Sequence, residues 1–173
     1  PNFVSAGGIK DDTDVTIQGP EVSKTLVKTS IEDTYNAINQ AVIGEIATYN
    51  LRIDVPRGTT PNAVITDTLS KALGFVKVTN IQTDAGVTIG NTAGANNPTL
   101  STDGSGNNIA TFNLGDITNI NPDTQRHGVT ITFEAVVLND RSVTSSSPAI
   151  HNKAKLDWTG HSLPDVSAGP LTV

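Results

Sequence analysis

Three polar residues occur among apolar ones in segments whose pattern alternates. Successive side chains of a strand point to opposite faces, so Lys24 shares its face with neighbouring Val and Leu residues. Asp67 has the same kind of position within residues 63–69, and Asn152 lies in the most apolar stripe of the chain, residues 150–158. We therefore expect all three side chains to point into the core. An unpaired polar group there costs several kcal/mol, so these three should pair.

A buried lysine, aspartate and asparagine together can form an amide. Burial lowers the pKa of a lysine and raises that of an aspartate, so the pair can exchange its proton and become a neutral amine and a neutral acid. The amine of Lys24 would attack the side-chain carbonyl carbon of Asn152, while protonated Asp67 polarises the carbonyl oxygen. Loss of ammonia leaves a Lys–Asn amide. The alternatives are an unreacted ion pair hydrogen-bonded to the asparagine, or strand ends at which these groups reach water.

Strands must position these residues, because period-2 patterning dominates the chain. Helix-period patterning is confined to residues 31–42, which predict a short helix or a polar loop. Residues 91–108 are rich in Asn, Gly, Ser, Asp and Pro and predict a protruding loop. The fold predicted is all-β, an antiparallel immunoglobulin-like sandwich, with a closed barrel as the alternative. Its strands are expected at 21–29, 43–55, 62–69, 74–81, 85–89, 108–114, 128–138, 148–158 and 166–172.

The composition excludes several classes of function. The 173 residues carry a net charge of −6, which argues against binding to nucleic acid or to an anionic membrane surface. No run approaches the ~20 apolar residues of a membrane span, so we expect no membrane insertion. The absence of cysteine excludes disulfides and cysteine nucleophiles. A covalent staple in this domain would need a different chemistry.

The two ends of the sequence share a tetrapeptide. Residues 4–7, Val-Ser-Ala-Gly, recur as residues 166–169. We therefore expect residues 1–20 to be a linker or the end of a preceding repeat, and residues 21–173 to form the β-sandwich repeat domain. The partners expected are neighbouring repeats of the same chain. No cofactor is expected, although Asp11, Asp12 and Asp14 near this junction are candidates for an interdomain calcium site.

Four segments occur in the order of a known pattern: 21–25 (EVSKT), 44–56 (GEIATYNLRIDVP), 65–69 (ITDTL) and 150–156 (IHNKAKL). Together they resemble the isopeptide-forming domains of bacterial surface adhesins and pili, of the fimbrial D2 type with a collagen-adhesin-A-like sandwich. The resemblance covers about residues 20 to 173. In that family a first-strand lysine joins a last-strand asparagine, with an aspartate as catalyst. These roles match Lys24, Asn152 and Asp67.

Alternatives remain open for two of the three roles. Lys28 is expected on the same face as Lys24 and is an alternative nucleophile. Glu45, at the head of the strand that contains Tyr49, is an alternative acid, because a sister family uses glutamate. Some related repeats lack the bond altogether.

The resemblance implies a structural stalk domain of an extracellular, cell-surface adhesin or fimbrial protein. The domain would be locked by one internal reaction and would not act as an enzyme on external substrates. One alternative is an adhesin module that binds a host or cell-surface ligand through exposed loops, especially 91–108. The other is a pilus subunit that polymerises by donating residues 1–19 as a strand.

Overall fold

Alternation of apolar and polar residues produces a fold made almost entirely of strands. The computed structural model describes residues 18–31, 37, 39–141 and 149–172. Within these residues the elements are β1 Glu21–Thr29, β2 Ile46–Val55, β3 Gly58–Leu69, β4 Leu73–Thr83, β5 Val87–Ile89, α1 Thr92–Asn96, β6 Thr99–Thr102, β7 Asn108–Asn119, β8 His127–Val137, β9 Ala149–Ile150, β10 Asn152–Trp158, β11 His161–Ser162, β12 Val166–Ser167 and β13 Leu171–Thr172.

The strands form two main sheets. The first has the order β1-β2-β8-β4, with β1 at one edge. The second follows the path β11-β10-β3-β7-β5, with β12 also paired to β10 and β6 to β7. All named strand pairs are antiparallel, and a small third sheet joins β13 to β9. The predicted antiparallel β-sandwich is confirmed.

The core lies between the inward faces of the two sheets. Along β2 the inward stripe is fully buried, as its alternation predicts, and consists of Ala47, Tyr49, Leu51, Ile53 and Val55. Aromatic rings connect the layers: Phe112 of β7 lies 6.1 Å from Phe75 of β4 and 5.9 Å from Phe133 of β8, measured between ring centroids. Such contacts stabilise beyond the area they bury, by about 1 kcal/mol each.

The segment 91–108 is not the single protruding loop that its composition predicts. Asn91 caps the short helix α1, since its side-chain oxygen accepts a hydrogen bond from the Gly94 amide. Residues 99–102 then form β6, which pairs with β7. The side chain of Asp103 accepts hydrogen bonds from the amides of Ser105 and Asn107 and so closes the turn between these two strands. Local side-chain capping and sheet pairing therefore order most of this segment.

The strand expected at 148–158 is divided at His151. Ile150 pairs with Leu171 of β13, whereas Asn152 pairs with Leu69 of β3, so the chain changes its partner between them. Both residues are buried, and the alternation continues through the break.

Other expectations about the chain organisation have different outcomes. The strand predicted at 166–172 is likewise two short pieces, β12 and β13. Half of residues 31–42, where a helix or loop is expected, lie outside the described residues, and residues 1–17 lie outside them entirely. Within the described part of the chain, α1 is a single short turn of five residues, and no helix there could cross a membrane.

We expect Gly128→Ala to destabilise the sandwich by more than about 3 kcal/mol. Gly128 lies in β8 opposite Asp54, and a Cβ atom at this position would overlap the backbone carbonyl oxygen of Ile53. The two strands would have to separate, because backbone atoms cannot rotate away. Urea denaturation measures the change. Gly104→Ala is the control, since no heavy atom lies within 4 Å of its added carbon, and an equal loss in both variants would contradict the steric explanation.

Candidate functional site

Three strands bring the predicted residues together. Lys24 lies in the middle of β1, opposite Leu51 of β2, and the strand neighbours on either side of it are exposed. Asp67 lies in β3 opposite Ala154 of β10. Asn152, two residues before Ala154, is therefore a diagonal neighbour of Asp67 on the same face, a position about 7 Å away between Cα atoms. The alternation of faces predicted this convergence.

Lys24 and Asp67 form an ion pair across the sandwich. Lys24 Nζ donates a hydrogen bond to Asp67 Oδ2, and both side chains are completely buried. The lysine belongs to the first sheet and the aspartate to the second, so this contact connects the two layers. Asn152 is 1% exposed. All three groups therefore lie in a region that water does not reach.

Two aromatic rings lie under the lysine amine. Nζ of Lys24 is 4.9 Å from the ring centroid of Phe133 and 5.4 Å from that of Tyr49. The two rings stack on each other at 5.6 Å. They come from β2, which pairs with β1, and from β8, which pairs with the other side of β2 in the same sheet. The rings exclude water from the amine, and their electron-rich faces attract it while it is charged.

Burial sets the protonation chemistry of Lys24. Removal of the amine from water lowers the pKa of Lys24 well below its usual value, because the charged form loses its hydration. The proximity of Asp67 gives the displaced proton an acceptor within hydrogen-bond reach. A lysine held in this way has access to its neutral form, which is the nucleophilic one.

Three buried polar atoms at the site have no hydrogen-bond partner. They are Oδ1 of Asp67 and both Oδ1 and Nδ2 of Asn152. Buried polar groups are nearly always paired, and each unpaired one costs about 1–3 kcal/mol. These unsatisfied atoms belong to Asp67, which Lys24 contacts, and to its diagonal neighbour Asn152. Of the alternative in the sequence analysis, an ion pair hydrogen-bonded to the asparagine, the ion pair is present and the hydrogen bond from it to the carboxamide is not.

Tyr49 borders the asparagine as well as the lysine. Burial raises the pKa of the Tyr49 phenol, and the neighbouring Asn152 side chain partly offsets this rise. The two groups do not meet in hydrogen-bond geometry, since both polar atoms of the carboxamide remain unpaired. The phenol therefore stays neutral and adds no charge to the site.

The position of the Tyr49 and Phe133 rings under Lys24 could not be predicted from the sequence. In the sequence Tyr49 marks only the strand that begins near Glu45, and no pattern singles out Phe133. The alternation of β2 showed that Tyr49 points inward, but the pairing of β1 and β8 with β2 was needed to place both rings under Lys24.

The alternative nucleophile Lys28 does not share the face of Lys24, so that expectation is wrong. A bulge lies between Leu26 and Lys28, and the extra residue reverses the alternation of β1. Lys28 is exposed as a result, and Thr29 takes the inward position.

The alternative acid Glu45 is buried but holds another part of the sandwich. Its two carboxylate oxygens accept hydrogen bonds from the backbone amides of Ile31 and Val42. Lys24 lies opposite Leu51, so six residues of strand, roughly 20 Å, separate Glu45 from the level of the lysine. Asp67, by contrast, contacts the amine directly.

The backbone of Asn152 is held from two sides. Asn152 pairs with Leu69 of β3, and its carbonyl oxygen accepts a hydrogen bond of 3.1 Å from the Ala168 amide. The preceding residue, His151, accepts from the Ser70 amide at 3.0 Å. The carboxamide thus projects from a fixed main chain, as an intramolecular reaction between side chains requires.

The calcium expectation falls on residues 11, 12 and 14, which lie outside the described residues. Among those described, no group of three or more His, Asp or Glu side chains is placed to hold a metal ion.

Removal of Asp67 alone should be more damaging than removal of both charges. Asp67→Ala leaves Lys24 buried without a partner, whereas Lys24→Met/Asp67→Leu fills the same space with apolar groups. We expect the single variant to be about 3–5 kcal/mol less stable than the double variant in urea denaturation at pH 7. Equal stabilities would contradict the assignment of a buried ion pair in which each charge needs the other.

The solvent-accessible pair of exposed Lys77 and half-buried Glu134, with N and O 3.6 Å apart, supplies the control. There Glu134→Ala and Lys77→Met/Glu134→Leu should differ by less than about 1 kcal/mol, because solvent screens the charges.

Comparison with known proteins identifies the fold. No protein-family model and no curated protein sequence matches the chain. Among solved structures, the C-terminal domain of the Streptococcus agalactiae AgI/II polypeptide BspA matches with a TM-score of 0.51 and 15% identity, over 85% of this chain and 48% of that one. Domains D2 and D3 of the major pilin SpaD from Corynebacterium diphtheriae match with a TM-score of 0.50 and 17% identity, over 87% and 50%. The chain thus spans about half the length of these structures and shares their β-sandwich fold.

Proposed function

We propose that this domain is a structural module of an extracellular, cell-surface pilus or adhesin protein and that it locks itself through an amide bond between Lys24 and Asn152. The observation that carries the proposal is the buried convergence of an amine, an acid and an unpaired carboxamide. The fold shared with the BspA domain and with the major pilin SpaD supports the surface role. The resemblance of four sequence segments to isopeptide-forming domains supports the chemistry.

The reaction needs no external reagent. The proton of Lys24 passes to Asp67, and the neutral Nζ attacks Cγ of Asn152 to form the new C–N bond. Protonated Asp67 donates a hydrogen bond to the developing oxyanion on Oδ1. One proton moves from Nζ to Nδ2, the Cγ–Nδ2 bond breaks, and ammonia leaves. The products are a secondary amide, ammonia and neutral Asp67, so atoms and charge balance.

The unpaired atoms of the site give this reaction a driving force. Reaction removes the unsatisfied Nδ2 as ammonia, and the product amide oxygen can accept a hydrogen bond from protonated Asp67. The buried charge pair disappears as well. Desolvated charges and unpaired amides are costly in a core, so the folded protein favours the product.

The consequence of the bond would be mechanical. It would join β1, the first strand of the described residues, to β10, and the closed loop would include most of the described chain. The chain-entropy estimate made for disulfides gives about 5 kcal/mol for a loop of this size. Tension would pass from β1 to β10 through the bond and bypass the strands between them. A stalk built of such domains resists pulling without cysteines.

The two alternative functions gain no support from the described residues. The segment 91–108 is largely ordered by α1 and β6, so it is not the open binding loop that the ligand-binding hypothesis invoked. The strand-donation hypothesis concerns residues 1–19, nearly all of which lie outside the described residues.

Intact mass spectrometry of the purified protein tests the proposal. We expect the wild-type mass to be one ammonia below the mass calculated from the sequence, and peptide mapping to locate the link between Lys24 and Asn152. Asp67→Ala and Asn152→Ala should each have the full calculated mass. A wild-type protein of unmodified mass would refute the self-locking reaction.

Lys28→Ala is the matched control, because it removes an exposed lysine from the same strand. This variant should retain the loss of ammonia, whereas Lys24→Ala should abolish it. The opposite result would assign the bond to Lys28. Circular dichroism of each variant establishes that a full mass does not result from failure to fold.

A further inference from the structure

The C-terminal segment 166–172 completes the sandwich beside Asn152. Val166 and Ser167 form β12, which pairs with Ala154 and Lys153 of β10. The following amide, that of Ala168, donates to the Asn152 carbonyl oxygen. Further along, Leu171 pairs with Ile150 of β9. We call the sides of β9 and β10 that pair with this segment the closing edge.

The contacts of the segment define a pattern of buried positions. Val166 packs against the core, Ala168 is 2% exposed and Leu171 is fully buried. Ser167, Gly169 and Pro170 are exposed. An occupant of the closing edge therefore needs a Val-x-Ala-x-x-Leu pattern, in which the intervening residues are free to vary.

Residues 4–9 carry the same pattern. Val4 and Ala6 match the first two buried positions, within the tetrapeptide that is identical in both places. The third buried position falls on Ile9, which lies outside the tetrapeptide and is also a branched apolar residue. The differences between the two segments at Gly8 and Lys10 fall on positions that are exposed or half-buried at the C-terminal end. The structure thus explains which residues recur and which do not.

We propose that residues 4–9 occupy the closing edge of a second domain of this type, the one that precedes it in a tandem array. In this domain the closing edge is already filled by its own residues 166–172, so it offers no vacant position to residues 4–9. The inference rests on the proposed function, a stalk of repeated sandwiches. It assigns the partner as another β-sandwich of this kind. The chain between Ile9 and Glu21, including Asp11, Asp12 and Asp14, is then the connection between adjacent domains.

A thermodynamic cycle in the 173-residue chain tests whether residues 4–9 fit the closing edge. Leu171→Asp places a charge at a buried position and should lower the Tm by more than about 10 °C, because it releases the C-terminal segment. In the wild type, Ile9→Asp should change the Tm by less than about 2 °C. In the Leu171→Asp background the closing edge is vacant and residues 4–9 of a second copy can fill it, so at high protein concentration Ile9→Asp should lower the Tm further. Equal effects of Ile9→Asp in both backgrounds would overturn the proposal.

Peptide binding provides a second, direct measurement. The 173-residue Leu171→Asp/Ile9→Asp protein is titrated with a fluorescent peptide of residues 1–12, and with the same peptide carrying Ile9→Asp. We expect the native peptide to bind at least tenfold more tightly than the variant peptide, and at least tenfold more tightly than it binds wild-type protein, whose edge is filled. Equal binding of the two peptides would overturn the proposal.

If the Leu171→Asp variants do not fold, a transplant replaces them. Pro170→Gly/Leu171→Ile/Thr172→Lys converts residues 166–172 into the sequence of residues 4–10. We expect its Tm to lie within about 3 °C of the wild type. A transplant that unfolds like Leu171→Asp would overturn the proposal. The intact mass of the wild type, measured separately, distinguishes failure of this inference from failure of the self-locking reaction.

Discussion

The contact between Lys24 and Asp67 is the constraint on which the rest of the sandwich depends. Two charged groups in a dry core carry a desolvation cost that their mutual attraction offsets only in good geometry. That geometry requires β1 and β3, which belong to different sheets, to stay in fixed register. The apolar residues around the pair can be exchanged for others of similar volume, but the pair itself tolerates neither separation nor the loss of one partner.

Several independent features converge to maintain this register. The alternation of β1 turns Lys24 inward, and the bulge that follows turns Lys28 outward, so a single amine enters the core from this strand. The rings of Tyr49 and Phe133 close the site from below. The β3–β10 pairing places Asn152 diagonally to Asp67. The site is thus distributed over five strands, and none of them could form it alone.

Much of this arrangement could be predicted from alternation alone. Period-2 patterning identified the fold class and placed Lys24, Asp67 and Asn152 on inward faces, because parity within one strand requires no knowledge of its partners. It failed for Lys28, since a bulge is an insertion in the pairing and leaves no mark in a short alternating segment. It missed Phe133, whose position beneath Lys24 depends on the pairing of β2 with β8. The ordered structure of residues 91–108 depends on the Asn91 cap and the Asp103 turn. The composition of the segment does not reveal either, because the same residue types are typical of open loops.

The position of Lys24 within its strand determines how β1 can be unzipped. As an edge strand, β1 has a ladder of hydrogen bonds on one side only, so a force on its N-terminal end would break these bonds one at a time. Within β1, only Glu21, Val22 and Ser23 precede the lysine. Separation of β1 from β2 that begins at Glu21 therefore reaches Lys24 after three residues. Because Lys24 contacts Asp67 in the other sheet, further separation must also move the two sheets apart.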